Sequence, residues 1–241
     1  MTGARRGALA RLGLGTAQFG LPYGVTRAGD APDERRVHAI LRQAEAAGVR
    51  LLDTAAAYGV AEQRIGRYLA RRTEENAWRI VGKLPPAIDA DSIPGAVQRA
   101  CRELSVPALH GMLFHRTDGL LDRDGDRRWR RLAHERDAGR TARLGVSVYT
   151  PEELAAVRAR FPIDIVQLPF SLFDRRFEPQ ISALEADGVE VHLRSVFLQG
   201  VLLTPPEHLP PFLSALGEAH KAFHTLLAEA RLSPITAALA V

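Results

Sequence analysis

Short apolar runs alternate along this chain with longer stretches whose apolar residues recur every three to four positions. The runs fall at 12–15, 50–53, 78–83, 111–115, 142–147, 163–167 and 189–194. A brief apolar run bounded by turn residues reads as a strand buried on both faces, the condition of a parallel sheet. The stretches between them read as helices. Val37, Ile40, Leu41 and Ala44 lie at helical spacing behind Pro32-Asp33-Glu34, and Gly48 stops that segment. Further helices are predicted over 61–71, 94–104, 125–138, 179–186 and 211–230. Pro94 suits an early helical position. Thr150-Pro151-Glu152-Glu153 combines an N-cap, a first-turn proline and a capping-box acid, for a helix that ends before Pro162. Ser233-Pro234 opens one more.

Seven strand–helix units with no interior linker predict a single domain over 1–241, built on parallel strands. Right-handed crossovers would curl it into an α/β fold of the (β/α)8 TIM-barrel type. An eighth strand and a last helix have no counterpart before Val241, so the barrel is expected to lack them and to stay open along one edge. Unpaired strand edges there would favour a homo-oligomer.

Composition narrows the class. The chain is 46% hydrophobic and 25% charged, enough for an ordinary core. No uncharged apolar stretch is long enough to span a bilayer, so no membrane partner is expected. Arg5 and Arg6 are not followed by an apolar segment, so residues 1–10 do not read as a secretory signal. The one cysteine, Cys101, cannot form an internal disulfide and reads as a buried small hydrophobe in a cytoplasmic protein. A net charge of +4 invites a nucleic-acid partner, but the pattern argues against it. Arg127, Arg128, Arg130 and Arg131 lie in a predicted helix among Asp124, Asp126, Glu135 and Asp137, which reads as a solvated face.

Four residues carry candidate chemistry. Asp53, Tyr58, Lys83 and His115 sit at, or just past, the ends of the second, third and fourth strands. Singly each has a plain reading: a turn-capping acid, a half-buried aromatic, a solvated amine, a core imidazole. Together they would converge on the C-terminal mouth of a parallel barrel, where such folds keep their chemistry. A phenol beside an ammonium and an imidazole can donate a proton to a carbonyl oxygen. No cluster suggests a metal site.

The pattern Leu52-Asp53-Thr54-Ala55, Tyr58-Gly59, Glu62, Ile65-Gly66, the strand-end Lys83 and Phe114-His115 resembles the aldo-keto reductase family. Gly145-Val146-Ser147, Val166-Gln167 and Arg194 to Gly200 extend the likeness over nearly the whole chain. The resemblance implies an NAD(P)H-dependent oxidoreductase that reduces an aldehyde or ketone to an alcohol. Tyr58 would be the general acid, Lys83 would place positive charge near it, Asp53 would hold the lysine, and His115 would orient the carbonyl. It implies cofactor contacts at Gly15 and Thr16, at Ser147 and Gln167 for the carboxamide, and at Arg194, Ser195, Phe197, Leu198, Gln199 and Gly200 near the pyrophosphate. The cofactor implied is NADP(H), ahead of NAD(H). Val148 stands where many members have asparagine. The adenosine-phosphate site that the family places after strand eight has no counterpart.

Other readings stay open. A barrel without its terminal cofactor segment could be a catalytically silent binding or scaffold subunit. A strand-end lysine is also the device of Schiff-base lyases, although the tyrosine–aspartate spacing gives no support to that. For the substrate, Phe19, Tyr23, Tyr149, Phe170 and Phe173 are candidate apolar walls of the mouth. Arg116, Arg175 and Arg176 are candidate anion contacts for a phosphorylated or carboxylated small-molecule carbonyl.

Overall fold

Seven strands pair in chain order in one parallel sheet: β1 (Gly13–Gly15), β2 (Leu51–Asp53), β3 (Arg79–Leu84), β4 (Leu109–Phe114), β5 (Thr141–Ser147), β6 (Ile165–Pro169) and β7 (Glu190–Arg194). The computed structural model describes residues 11–26, 29–72 and 78–240; the reading of residues 1–10 and of the end at Val241 lies outside them. Each strand hydrogen-bonds to the next in the sequence, as parallel strands joined by helical crossovers must when the crossovers share one hand. The sheet curls into a half-barrel, a (β/α)8 fold that lacks one strand among the described residues.

The helices follow the predicted pattern: α1 (Glu34–Ala47), α2 (Ala61–Leu69), α3 (Ile93–Leu104), α4 (Asp118–Leu121), α5 (Gly125–Asp137), α6 (Pro151–Arg160), α7 (Glu178–Ala186), α8 (Gly217–Glu229) and α9 (Pro234–Leu239). Three of these helices start at a side-chain cap. Asp33 Oδ1 accepts from Arg36 N at 2.7 Å. Thr150 Oγ1 accepts from Glu153 N at 3.2 Å, while the Glu153 carboxylate accepts from Tyr149 N at 2.6 Å, one residue earlier than a capping box requires. Ser233 Oγ accepts from Thr236 N at 3.1 Å.

Most element ends fall within a residue or two of the sequence reading, and three departures bear on the fold. β6 runs two residues later than 163–167, because Asp164 turns its carboxylate back to accept from Leu144 N at 2.9 Å before the ladder begins. The predicted 211–230 helix is a 3-10 turn over Pro211–Leu216 followed by α8; after Pro210-Pro211 the first bond closes three residues back, Leu213 N to Pro210 O at 2.9 Å. The loop expected at 116–119 contains the short helix α4.

Two apolar layers separate inside from outside. The main core lies between sheet and helices, with Leu52, Ile65, Ile80, Leu104, Met112 and Leu144 fully buried. A second, smaller cluster of Leu51, Val81, Leu113 and Ile165 fills the concave side of the sheet. Helices α2 and α3 touch backbone to backbone at Gly66, where an added Cβ would lie 1.8 Å from Glu103 O, so no larger residue fits without separating the helices. The basic helix α5 is tied down rather than left free: Arg127 and Arg131 both reach Asp91, at 2.5 and 2.7 Å, and Trp129 on its inner face is buried. No helix among the described residues is long and apolar enough to cross a membrane.

Candidate active site

The strand-end residues form a polar layer directly above the inner apolar cluster. Side chains alternate along a strand, so a residue two positions on points the same way. Two positions beyond Leu51, Val81, Leu113 and Ile165 stand Asp53, Lys83, His115 and Gln167. Ser147 pairs in register with Gln167, and Gly15 with Asp53. The sheet that buries four aliphatic residues therefore presents four polar ones at its rim.

A carboxylate and an ammonium organise this layer. Lys83 Nζ donates to Asp53 Oδ1 at 2.5 Å and to the Thr54 carbonyl at 3.1 Å. Gln167 Nε2 donates to the same Asp53 oxygen at 2.8 Å. Behind it, Thr16 donates twice to the Asp53 carbonyl, from its hydroxyl at 2.8 Å and from its backbone at 3.0 Å. Only 2% of Lys83 is exposed. Burial pulls its pKa below the ordinary lysine value, and the Asp53 carboxylate opposes that shift.

Tyr58 and His115 stand next to this pair. Lys83 Nζ lies over the Tyr58 ring, 5.3 Å from its centroid, and the Tyr58 and His115 rings meet edge to face at 5.9 Å. Tyr58 reaches the rim because the turn before α2 packs on the loop after β1: a Cβ at Gly20 would lie 1.9 Å from Tyr58 O. Burial raises the pKa of the phenol well above its ordinary value, and the Asp53 carboxylate and Tyr23 push the same way. The opposing cation is Arg194, while Lys83 lies over the ring face and is paired with Asp53. The phenol therefore keeps its proton throughout the neutral range. The His115 imidazole is pushed down to about 4, by burial first and then by Lys83, against the pull of Asp53. It is neutral near pH 7, and its Nδ1 is buried with no hydrogen-bond partner among the described residues.

Arg194 is the cation that the sequence reading placed nearby without seeing its reach. Its guanidinium donates to Ser147 Oγ at 3.3 Å, Ser195 Oγ at 3.3 Å and the Val148 carbonyl at 3.0 Å, and lies 4.1 Å above the Tyr149 ring. Arg116 flanks the same ring at 5.8 Å. Arg194 has no carboxylate partner among the described residues, and its charge is felt by Tyr58, Lys83 and His115 alike. The segment after β7 carries an unusual backbone: Ser195, Leu198 and Gln199 all have positive φ (61°, 47° and 55°), as does Gly200 (102°). Such strain in non-glycine residues collects where a chain is shaped for a ligand. Gln199 O accepts from Val25 N at 3.2 Å, which joins this segment, Phe197 included, to the loop after β1.

The structure thus brings Asp53, Tyr58, Lys83 and His115 together with Thr16, Gln167, Ser147 and Arg194. The mouth is narrower in residue type than expected. Phe19 and Phe170 are buried in the core, and only Tyr23, Tyr149 and Phe173 present exposed rings. Arg175 and Arg176 are held by Glu178 and Asp174, at 2.8 and 2.7 Å, and Arg116 by Asp118 at 3.0 Å. Glu62, which entered the sequence reading only as part of the family pattern, is a buried carboxyl in α2 with one oxygen unpartnered among the described residues.

A parallel half-barrel that gathers a tyrosine, a histidine and a buried lysine–aspartate pair at its C-terminal rim has the architecture of a barrel oxidoreductase. The sequence profile of the Aldo/keto reductase family matches residues 11–240, and the chain belongs to that family. It is similar to aldo-keto reductase YhdN of Bacillus subtilis (strain 168), 25% identical over 193 residues, which are 74% of this chain and 55% of that protein. The chain thus spans about half the length of that relative. Among solved structures it resembles PA4992 of Pseudomonas aeruginosa, assigned to the aldo-keto reductases, with a TM-score of 0.65 at 28% identity over 80% of this chain and 76% of that one. The glycerol dehydrogenase AKR11B4 of Gluconobacter oxydans shares the fold at a TM-score of 0.69 and 24% identity, over 93% of this chain and 76% of that one.

Proposed function

We propose that the chain reduces a small aldehyde or ketone to an alcohol, with Tyr58 giving the proton to the carbonyl oxygen. The observation that carries this reading is the stack of Tyr58 ring, Lys83 ammonium and Asp53 carboxylate beside His115. A buried, protonated phenol is a proton held at one atom. A neutral imidazole beside it can hydrogen-bond a carbonyl oxygen and fix its direction. As the alcohol forms, the phenol becomes a phenolate, and the cations Lys83 and Arg194 are the groups placed to stabilise it.

A nicotinamide cofactor, bound as NADPH, would supply the hydride, which no side chain can. The residues present fit it. Ser147 and Gln167 are neighbouring strand ends with hydrogen-bonding side chains beside the proton donor. Gly15 and Thr16 flank the Asp53 strand, and Arg194 with the segment from Ser195 to Gly200 offers a cation and a backbone of positive φ for a phosphate. The single domain over 1–241, a cytoplasmic setting and self-association along the open edge of the sheet belong to the same proposal.

The test is Tyr58→Phe. Wild type should oxidise NADPH in the presence of a carbonyl compound, and the variant should lose about 10²–10⁴-fold in turnover while binding NADPH as before by fluorescence titration. A variant with full activity removes Tyr58 as the acid. A wild type that binds no cofactor at millimolar concentration leaves the scaffold reading in its place.

A further inference from the structure

A cavity of about 220 Å³ lies between α2, α3 and the end of β3. Glu62, Gln63, Arg99 and Glu103 line it, and so does Lys83. Asp53, His115, Gln167, Ser147 and Arg194 do not, so Lys83 is the one charged group common to the rim and this cavity. Gly66 lets α2 and α3 touch, and Glu62 of one helix shares the cavity lining with Glu103 and Arg99 of the other. Glu62 is 4% exposed, and its Oε1 is buried with no hydrogen-bond partner among the described residues. Gln63 and Arg99 are exposed, so the cavity opens to solvent at their edge. A polar space of this size holds water.

A buried carboxyl oxygen without a hydrogen-bond partner is costly. We propose that Glu62 is a proton-relay residue that recharges Lys83, and through it Tyr58, from solvent by way of this cavity. The inference rests on the reductase reading above. After the alcohol forms, the Tyr58 oxygen is a phenolate. A Lys83 N–H bond breaks as the Tyr58 O–H bond forms, leaving a neutral amine. The Glu62 O–H bond then breaks, its proton crosses cavity water, and the amine becomes an ammonium again. The Glu62 carboxylate takes one proton from solvent at the Arg99 edge. Each alcohol formed thus draws one proton from bulk water while substrate and cofactor fill the mouth.

The charges around Glu62 suit a group that both holds and releases a proton. Burial and Glu103 of α3 raise its pKa, Arg99 of α3 and Lys83 of β3 lower it, and the balance stands at about 7. A carboxyl poised near the working pH is the effective choice for transfer in either direction.

Three measurements test the relay. In Glu62→Gln a single turnover with enzyme in excess should keep its wild-type rate, because Tyr58 starts protonated, while steady-state turnover falls about tenfold or more. Glu62→Asp should recover most of it. A purely structural role would slow the first turnover as well, and equal steady-state rates in Glu62→Gln and wild type would likewise end the proposal. The second readout needs neither cofactor nor turnover: the carboxyl ¹³C resonance of Glu62 should titrate near pH 7, downward in Glu103→Gln and upward in Arg99→Gln. A midpoint in the ordinary carboxylate range, or one that ignores both variants, overturns the relay even if the chain proves inactive. An inactive wild type with the titration as described overturns the reductase reading instead.

Discussion

Lys83 and Asp53 meet at 2.5 Å with the lysine side chain 1% exposed and the aspartate 19% exposed. The ammonium is thus stripped of water while its partner keeps some. A buried pair of this kind gives little net stability, but removing one member strands the other. Lys83→Met is expected to cost about 3–5 kcal/mol of unfolding free energy, and Asp53→Asn a comparable amount. The double variant should cost clearly less than the two together. Urea unfolding of all four proteins measures the coupling; strict additivity would mean that the two charges do not depend on one another.

Gly20 sets the approach of the Tyr58 turn to the loop after β1. In Gly20→Ala the new methyl would stand 1.9 Å from Tyr58 O and 2.8 Å from Ala61 N, both backbone atoms that cannot swing aside. The variant should lose about 1–3 kcal/mol of stability and displace the phenol from the rim, lowering turnover. Gly95→Ala is the control. Gly95 lies inside α3 with nothing within 4 Å of the added methyl, and the change should stabilise by about 0.5–1 kcal/mol. Thermal unfolding separates the two, and equal melting points would refute the steric account.

The fold was legible because the central strands, β2 to β6, are largely apolar runs buried in the sheet, while the edge strands β1 and β7 are shorter or more exposed and were placed by their spacing. The same alternation made the rim legible: Asp53, Lys83, His115 and Gln167 each stand two residues past an inward aliphatic. What the chain did not disclose depends on distances across the fold. That Lys83 sits on the face of Tyr58, and that Arg194 is the cation opposing the rise in the phenol's pKa, are set by how far the sheet curls. Glu62 stood in the family pattern, but its burial depends on α2 and α3 meeting where Gly66 faces Glu103 O. The burial of Phe19 and Phe170 was equally invisible, since an aromatic in a loop carries no sign of which way it turns.

His115 should titrate far below an ordinary histidine. Its folded pKa is about 4 against 6.5 for a free imidazole. Above about pH 6.5 neither the folded nor the unfolded chain binds the proton, and the contribution to stability is fully present. Between the two values the unfolded chain takes up the proton first, so stability is lost as pH falls through about 4. The ring Cε1 proton of His115, followed by NMR and assigned with His115→Phe, should show its inflection near pH 4, and the variant should lose less stability than wild type in acid. An inflection near 6.5 would show that the site is open to water.

Glu62 predicts the opposite slope. Its carboxyl is held at about 7 against the usual 4.5. Below 4.5 both states are protonated and nothing is lost. As pH rises the unfolded chain releases its proton first, so the contribution to stability declines and is gone above about 7. For a side chain this deeply buried the loss is on the order of 3 kcal/mol. Glutamine has the shape of the protonated acid and cannot ionise. Glu62→Gln should therefore match wild type near pH 4.5 and melt several degrees higher at about pH 8.5, where wild type carries a buried charge. Differential scanning calorimetry at the two pH values decides it. A melting difference that is the same at both would mean that Glu62 ionises freely, and that the cavity between α2 and α3 exerts no hold on its proton.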